Sequence, residues 1–334
     1  MRTRLRKWPV AARSLLIVLA LLILAIGGLS LYQAAATAND QRNYPPPGQL
    51  VDVGGYRMHI FCMGEGSPTV ILDSLFPGTV SNWGWVQPEI ARTTRVCAYD
   101  RAGLGWSEPG PEPRTQQQAA RELQILVTNG EISGPYLLVG HSLGGLTSRM
   151  YASMYPDQVA GMVLVEGTNP DSWIRRGQPE GVGADRNMLA MTPLLARLGI
   201  FRLGLMRFFS SDPDLPEQQR QELQAFFDTA KFWETVLAVD NSFSQSLEEV
   251  RHASDFGEKP LIIVLGSEGD GGIAELQELF AQQENLSSNS LTWTVEGATH
   301  ASLVDNQDHA QQTSAAILLV VEAIRTGQPL TVLE

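Results

Sequence analysis

The longest apolar run comes first. Leu15–Tyr32 is eighteen residues of nearly unbroken hydrocarbon, interrupted only by Gly27, Gly28 and Ser30, close to the roughly 20 residues a helix needs to cross a bilayer. Beyond residue 48 the apolar runs shorten to strand length. Leu50–Val53 and Tyr56–Cys62, separated by Gly54-Gly55, predict a β-hairpin. Thr69–Asp73, Thr94–Tyr99, Pro135–Val139 and Val159–Val165 predict further strands, with helices over Asn82–Arg92, Thr115–Val127 and Leu146–Tyr155 between them. Strand alternating with helix predicts a mostly parallel central sheet with helices on both faces.

From about residue 170 to 258 the strand rhythm stops, and Leu189–Leu198, Gly204–Phe209 and Pro216–Asp228 read as helices. It resumes with strand Pro260–Leu265, helix Ile273–Gln283, strand Leu291–Val295 and a closing helix over Gln307–Ile324. The expectation is one α/β domain over 49–334. A helical cap at about 170–258 is inserted over the C-terminal edge of its sheet, where open α/β sheets bind ligands.

Charge sets the expected topology. Arg2, Arg4, Arg6, Lys7 and Arg13 precede the apolar run and every acid, which keeps that flank in the cytoplasm and sends the rest outward. Two fates are open for residues 1–38. They form an uncleaved transmembrane anchor, or a signal peptide cut at Ala36-Thr37-Ala38; the run exceeds the roughly 7–15 residues usual for a signal, which favours the anchor. Residues 39–48, ending Pro45-Pro46-Pro47-Gly48, read as a linker. The folded domain is expected outside the cytoplasm, membrane-held or, after cleavage, secreted or periplasmic. The remainder carries 19 basic against 36 acidic groups, so no nucleic-acid partner is expected. Within the cap, Leu194–Phe209 is strongly apolar with Arg197, Arg202 and Arg207. It serves either as cap core or as a surface for greasy substrates or the bilayer.

The candidate chemistry centres on Val139-Gly140-His141-Ser142-Leu143-Gly144-Gly145. A serine between two glycines, where a strand turns into a helix, is a nucleophile elbow. So tight a turn strains the serine backbone and leaves no room for side chains at 140 and 144. A serine hydroxyl needs a base. His300 is the candidate, because it follows strand Leu291–Val295 after the short turn Glu296-Gly297-Ala298. His141 is expected to point away from the attack line as wall or support, His59 to be a strand residue, and His252 and His309 to face solvent. The chain has no His-Glu-x-x-His, cysteine quartet or phosphate-binding glycine loop, so no metal and no cofactor are implied.

From Gly48 to its C-terminus the chain resembles the α/β-hydrolase superfamily. The resemblance rests on the elbow, on Tyr99-Asp100-Arg101-Ala102-Gly103-Leu104-Gly105-Trp106-Ser107 and on Gly297-Ala298-Thr299-His300, in the family's order. It implies Ser142 as nucleophile, His300 as base, and the backbone amides of Leu143 and Phe76 as oxyanion donors. Where many members carry His-Gly, Asp73-Ser74-Leu75-Phe76-Pro77-Gly78 stands here. The acid has two candidate positions. Asp270, with Glu268 nearby, lies in the loop after Pro260–Leu265, the family's usual place. Glu166 stands at the tip of Val159–Val165, where haloalkane dehalogenases put theirs; a rigid strand end favours Glu166. Cys62 and Cys97 fall on strands that are neighbours in the family's usual order, so an oxidising compartment implies a disulfide between them.

The function implied is a serine hydrolase that cleaves carboxylic esters of small to medium apolar substrates through an acyl-enzyme. Serine at 142 disfavours the epoxide-hydrolase and haloalkane-dehalogenase chemistries, which need aspartate there. A prolyl-aminopeptidase-like peptidase is the alternative, with Glu234, Asp240, Glu248 and Glu249 available to a substrate amine. A catalytically silent hydrolase fold used as a binding module is the rival of a different class.

Overall fold

The computed structural model describes residues 10–171, 186–204, 214–268 and 279–331. Among them eight strands form one sheet: β1 (Gln49–Asp52), β2 (Arg57–Met63), β3 (Thr69–Asp73), β4 (Val96–Tyr99), β5 (Tyr136–His141), β6 (Val159–Val165), β7 (Leu261–Gly266) and β8 (Ser290–Val295). Their order is β1-β2-β4-β3-β5-β6-β7-β8. Only the pairings of β2 with β1 and β4 are antiparallel, and the rest are parallel.

Helices cover both faces, which is why the central strands are apolar throughout instead of alternating. The described helices are α1 (Val10–Asn43), α2 (Val86–Ile90), α3 (Gln116–Asn129), α4 (Leu143–Met154), α5 (Arg186–Arg197), α6 (Glu217–Phe227), α7 (Ala230–Arg251), α8 (Ser302–Asp305) and α9 (Gln307–Thr326). Successive strand residues point to opposite layers. Ile71, Leu138, Leu164 and Ile263 pack with Leu123 and Leu126 of α3 and Leu146 of α4. Val70, Leu72, Val139, Val163 and Val264 pack with Ile90 of α2 and Ile317 and Val320 of α9.

α5, α6 and α7 follow β6 and precede β7. Aromatic side chains of α6, α7 and the 3-10 turn Phe201–Leu203 form a cluster, with Phe201 stacked on Trp233 at 4.8 Å and Phe227 edge-on to Trp233 at 4.9 Å. The 22-residue α7 fastens this layer down. Lys231 Nζ donates to the carbonyls of Gly105 and Ser107 at 2.6 and 2.8 Å, and Ser242 Oγ accepts from the amide of Arg114 at 3.0 Å.

Three expectations need correction or restriction. The helix expected over Asn82–Arg92 is two pieces, a 3-10 turn at Val80–Trp83 and the short α2. Pro88 has no N–H to return to residue 84, so a continuous α-helix lacks that bond. The linker expected at 39–48 is helical through Asn43: its first five residues continue α1, and Asp40 among them is held by Arg202. Only residues 44–48 connect α1 to β1. Of the expected helices Gly204–Phe209 and Ile273–Gln283, residues 205–209 and 273–278 lie outside the described residues.

Cys62 stands directly opposite Cys97 in the β2–β4 pairing, with the Cα atoms 4.0 Å apart and the sulfurs bonded.

Candidate active site

Ser142 sits on the turn between β5 and α4 with φ 54° and ψ −118°. That region is unfavourable for a side-chain-bearing residue. The surrounding backbone holds it there: its amide donates to Val165 O at 3.1 Å and its carbonyl accepts from Thr168 N at 2.8 Å. The two flanking glycines are sterically required. A Cβ on Gly144 would stand 2.4 Å from Asp73 O, and one on Gly140 2.4 Å from Gly144 O. The elbow is thus pressed against the end of β3, where the loop that carries Phe76 begins.

Three buried groups hold that loop. Asp73 accepts from Tyr99 Oη at 2.8 Å and from Arg101 Nε at 2.8 Å, while Arg101 Nη2 also donates to the carbonyl of Ser74. Asp100 accepts from the amides of Val80 at 2.8 Å and Trp106 at 3.0 Å and meets His59 Nδ1 at 2.9 Å. His59, read from the sequence as a plain strand residue, is a fully buried partner of that acid. The roles of Asp73, Arg101 and Asp100 were not read from the sequence. Their signal was an acid-arginine pair directly after a buried strand, since such charges persist inside only when paired.

The amides of Leu143 and Phe76 have no hydrogen-bond partner among the described residues. Both residues line a cavity of about 10 Å³, shared with Leu104, Ala102, Val239 and Arg101. That is room for one water-sized group.

His300 is fixed from two sides. Its Nδ1 lies 2.6 Å from Glu166 Oε2. Its carbonyl lies 3.0 Å from Nε2 of His141, the residue beside the serine, and the two rings are 4.8 Å apart. Burial, then the neighbouring His300, hold the His141 imidazole well below the usual histidine range. His141 is therefore a neutral ring that supports His300.

Glu166 is the residue after β6, almost fully buried, with φ 39°. Its Oε1 accepts from Gly266 N at 2.9 Å and its own amide donates to Val264 O at 2.8 Å. A carboxylate so held presents one fixed oxygen to the imidazole. Glu268 is exposed, and Asp270 lies outside the described residues.

The remaining singled-out residues are apart from this cluster or engaged elsewhere. His252 pairs with Glu248 on the surface, and His309 contacts Ser302. Of the four cap acids, Glu234 pairs with Arg197, Asp240 with Arg186 and Glu248 with Arg251, and Glu249 accepts from the Gln117 amide.

Comparison with known proteins agrees with this architecture. The chain is 28% identical over 236 residues to the dihydrolipoyllysine-residue acetyltransferase component of the acetoin cleaving system of Pseudomonas putida, covering 68% of this chain and 59% of that protein. It is 27% identical over 159 residues to 2-hydroxymuconate semialdehyde hydrolase of Pseudomonas sp. (strain CF600), covering 47% and 56%. The chain thus spans less than two thirds of the length of these curated relatives. A crystal structure of DBJA superposes with a TM-score of 0.65 at 17% identity, over 83% of this chain and 99% of that one. The alpha/beta hydrolase family pattern matches residues 75–316, and the chain belongs to that family.

Proposed function

We propose that this protein is a membrane-anchored serine hydrolase that cleaves carboxylic esters of small to medium apolar substrates through an acyl-enzyme. The observation that carries the reading is the 2.6 Å contact between His300 Nδ1 and Glu166 Oε2, on a histidine tied through His141 to the elbow that bears Ser142. Ser142 Oγ attacks the ester carbonyl carbon while His300 Nε2 takes its proton. Glu166 fixes the tautomer and stabilises the imidazolium. The amides of Leu143 and Phe76 hold the tetrahedral oxyanion, each contributing on the order of 3 kcal/mol. On collapse the C–O bond to the alcohol breaks and His300 returns the proton to the leaving oxygen. Water, deprotonated by the same histidine, then attacks the acyl carbon and releases Ser142.

Two features support an uncleaved anchor over a cleaved signal. The Ala36-Thr37-Ala38 site lies inside a continuous helix, and Gln33 just before it and Thr37 within it bond to Arg202 of the cap. A cut after Ala38 would remove both contacts. The basic N-terminal flank supports a domain outside the cytoplasm.

The test is fluorophosphonate labelling of the full chain in detergent or nanodiscs, with the adduct located by mass spectrometry and p-nitrophenyl esters as substrates. The expected result is an adduct on Ser142 and ester turnover lost in Ser142→Ala. Well-folded protein that takes no label favours a silent binding module, and labelling with turnover of prolyl amides but not esters favours the peptidase.

A further inference from the structure

We propose that the cap edge formed by α5 and the turn Phe201–Leu203 lies in the bilayer interface beside α1, and that the ester substrate enters from the lipid phase. This rests on the reading of α1 as a membrane anchor.

The anchor does not end where the apolar run ends. Past Tyr32 the same helix continues to Asn43, and this extension is seated on the cap. Buried Gln33 donates through Nε2 to Asp228 O at 2.6 Å. Arg202 gathers the contacts: Nε to Gln33 Oε1 at 2.7 Å, Nη2 to Asp40 Oδ2 at 2.6 Å and Nη1 near Asp228 Oδ2 at 3.6 Å. Farther along, Tyr44 Oη donates to Gln221 at 3.0 Å and its carbonyl accepts from Trp106 Nε1 at 2.9 Å. An unbroken helix clamped at several points is a rigid post, so it fixes the height of the cap above the membrane.

That height is low. Gly199, between α5 and the turn, lies against both Tyr32 and Gln33: a Cβ placed on it would meet Tyr32 Cδ1 at 3.6 Å and Gln33 Oε1 at 3.3 Å. Tyr32 is the last residue of the apolar run, so this edge of the cap stands level with the boundary between hydrocarbon and headgroups. Tyrosine is a residue that settles at that boundary.

The apolar surface is concentrated at the same edge. Outside α1, four of the five exposed large hydrophobic residues among those described are Met188, Met191, Leu194 and Leu203, each between 41% and 51% exposed. The three on α5 are spaced three residues apart, which aligns them along one stripe of the helix. An apolar helical stripe at headgroup depth is the geometry of an interfacial helix. Deep in the same layer, Val239 of α7 lines the cavity that also touches Phe76 and Leu143. A greasy ester that leaves the leaflet under this edge has Ala102, Leu104 and Val239 to pack on beside Phe76 and Leu143, with Arg101, Arg114 and Thr235 on the same wall. The substrates this geometry fits are esters whose acyl or alcohol part partitions into the bilayer.

The experiment uses the full chain in phosphatidylcholine nanodiscs, with single cysteines at Met191 and Leu203 and at the exposed Arg121 of α3, each carrying the fluorophore NBD. Expected is a blue-shifted probe at 191 and 203, quenched by doxyl-labelled phosphatidylcholine and at least threefold less by iodide than the probe at 121. Iodide quenching equal at all three positions would overturn the placement. Arg202→Ala, and separately Asp40→Ala, should then lower turnover of a long-chain nitrophenyl ester dissolved in the bilayer about tenfold, with water-soluble p-nitrophenyl acetate within twofold of the parent. Equal loss on both esters, or none on either, would overturn entry from the lipid. The probe readout needs no activity, so a chain that hydrolyses neither ester refutes the esterase reading and leaves the placement to be judged on quenching alone.

Discussion

The buried imidazole of His141 donates a hydrogen bond from Nε2 to the backbone carbonyl of His300 at 3.0 Å. A carbonyl can only accept, so this contact assigns the proton to Nε2 and leaves Nδ1, which has no partner, as the bare nitrogen. The residue before the elbow serine thereby holds the loop that carries the candidate base. His141→Phe should lower kcat on an activated ester by about tenfold to a hundredfold with KM little changed, and His141→Gln, which keeps an N–H, should recover part of the loss. The linkage has a definite sign. The folded ring resists protonation while the unfolded one accepts it, so stability should fall as pH drops below the ordinary value of 6.5. Thermal melts from pH 7.5 to 5 should show that slope reduced in His141→Gln; parallel slopes would assign the acid sensitivity to another group.

The second prediction concerns the bridge between β2 and β4. It closes a separation of 35 residues, which the chain-entropy account values at about 4 kcal/mol. The Cys62→Ala/Cys97→Ala double variant should melt on the order of 10 °C lower than the parent. Denatured, unreduced protein should show no free thiol. A double variant that melts with the parent would mean that the bridge contributes little beyond the packing of two already paired strands.

Local patterns carried much of this architecture. The strands were legible because those buried on both faces are short apolar runs, and Ser142 was legible because its strained turn demands glycines on both sides. The clamp on the loop after β3 was not. Asp73 and Arg101 are 28 residues apart, and nothing in local periodicity says that one charge finds the other. The end of α1 was misplaced for a different reason. Residues 39–48 read as a linker because they are polar and end in three prolines and a glycine, but Asn39–Asn43 continue the helix, and Arg202, 169 residues from Gln33, supplies a polar seat that also holds Asp40. Of the two acid candidates, the sequence could rank positions only by the stiffness of their supports.

A third prediction follows from Asp305 of α8. Burial, opposed in part by Asn82 and His300 and aided by Asp214, pushes its carboxyl up to about 7. One of its oxygens is buried without a partner. The folded chain therefore holds a proton that the unfolded chain releases above pH 3.8, so stability is full below that value and declines as pH rises toward 7. The decline from this group is on the order of 4 kcal/mol. Asp305→Asn should remove it, so that the variant gains on the parent from about pH 4 to 7 in chemical-denaturation midpoints. Curves that stay parallel over that range would show that Asp305 is ionised at little cost.

The last prediction decides the acid. Glu166 has the attributes a triad carboxylate needs: a strand end for support, near-complete burial, one oxygen committed to Gly266 N and the other 2.6 Å from His300 Nδ1. Glu166→Gln keeps the size and removes the charge. A glutamine at that position either accepts from Nδ1–H without stabilising the imidazolium, or turns its amide toward the ring and selects the wrong tautomer. Loss of the analogous carboxylate in a serine triad costs on the order of 10⁴-fold in kcat. We expect Glu166→Gln to lose about 10³- to 10⁴-fold on a p-nitrophenyl ester, with a fold intact by near-UV circular dichroism, and Asp270→Asn to lose only a few-fold. Fluorophosphonate labelling of Ser142 should slow in parallel with the first variant and not with the second. The reverse pattern, a large loss confined to Asp270→Asn, would mean that Glu166 only braces the end of β6 and that the loop after β7 supplies the working acid. Loss of similar size in both would require a shared role, tested by the double variant: two residues acting on one histidine should not lose more together than the worse of them alone.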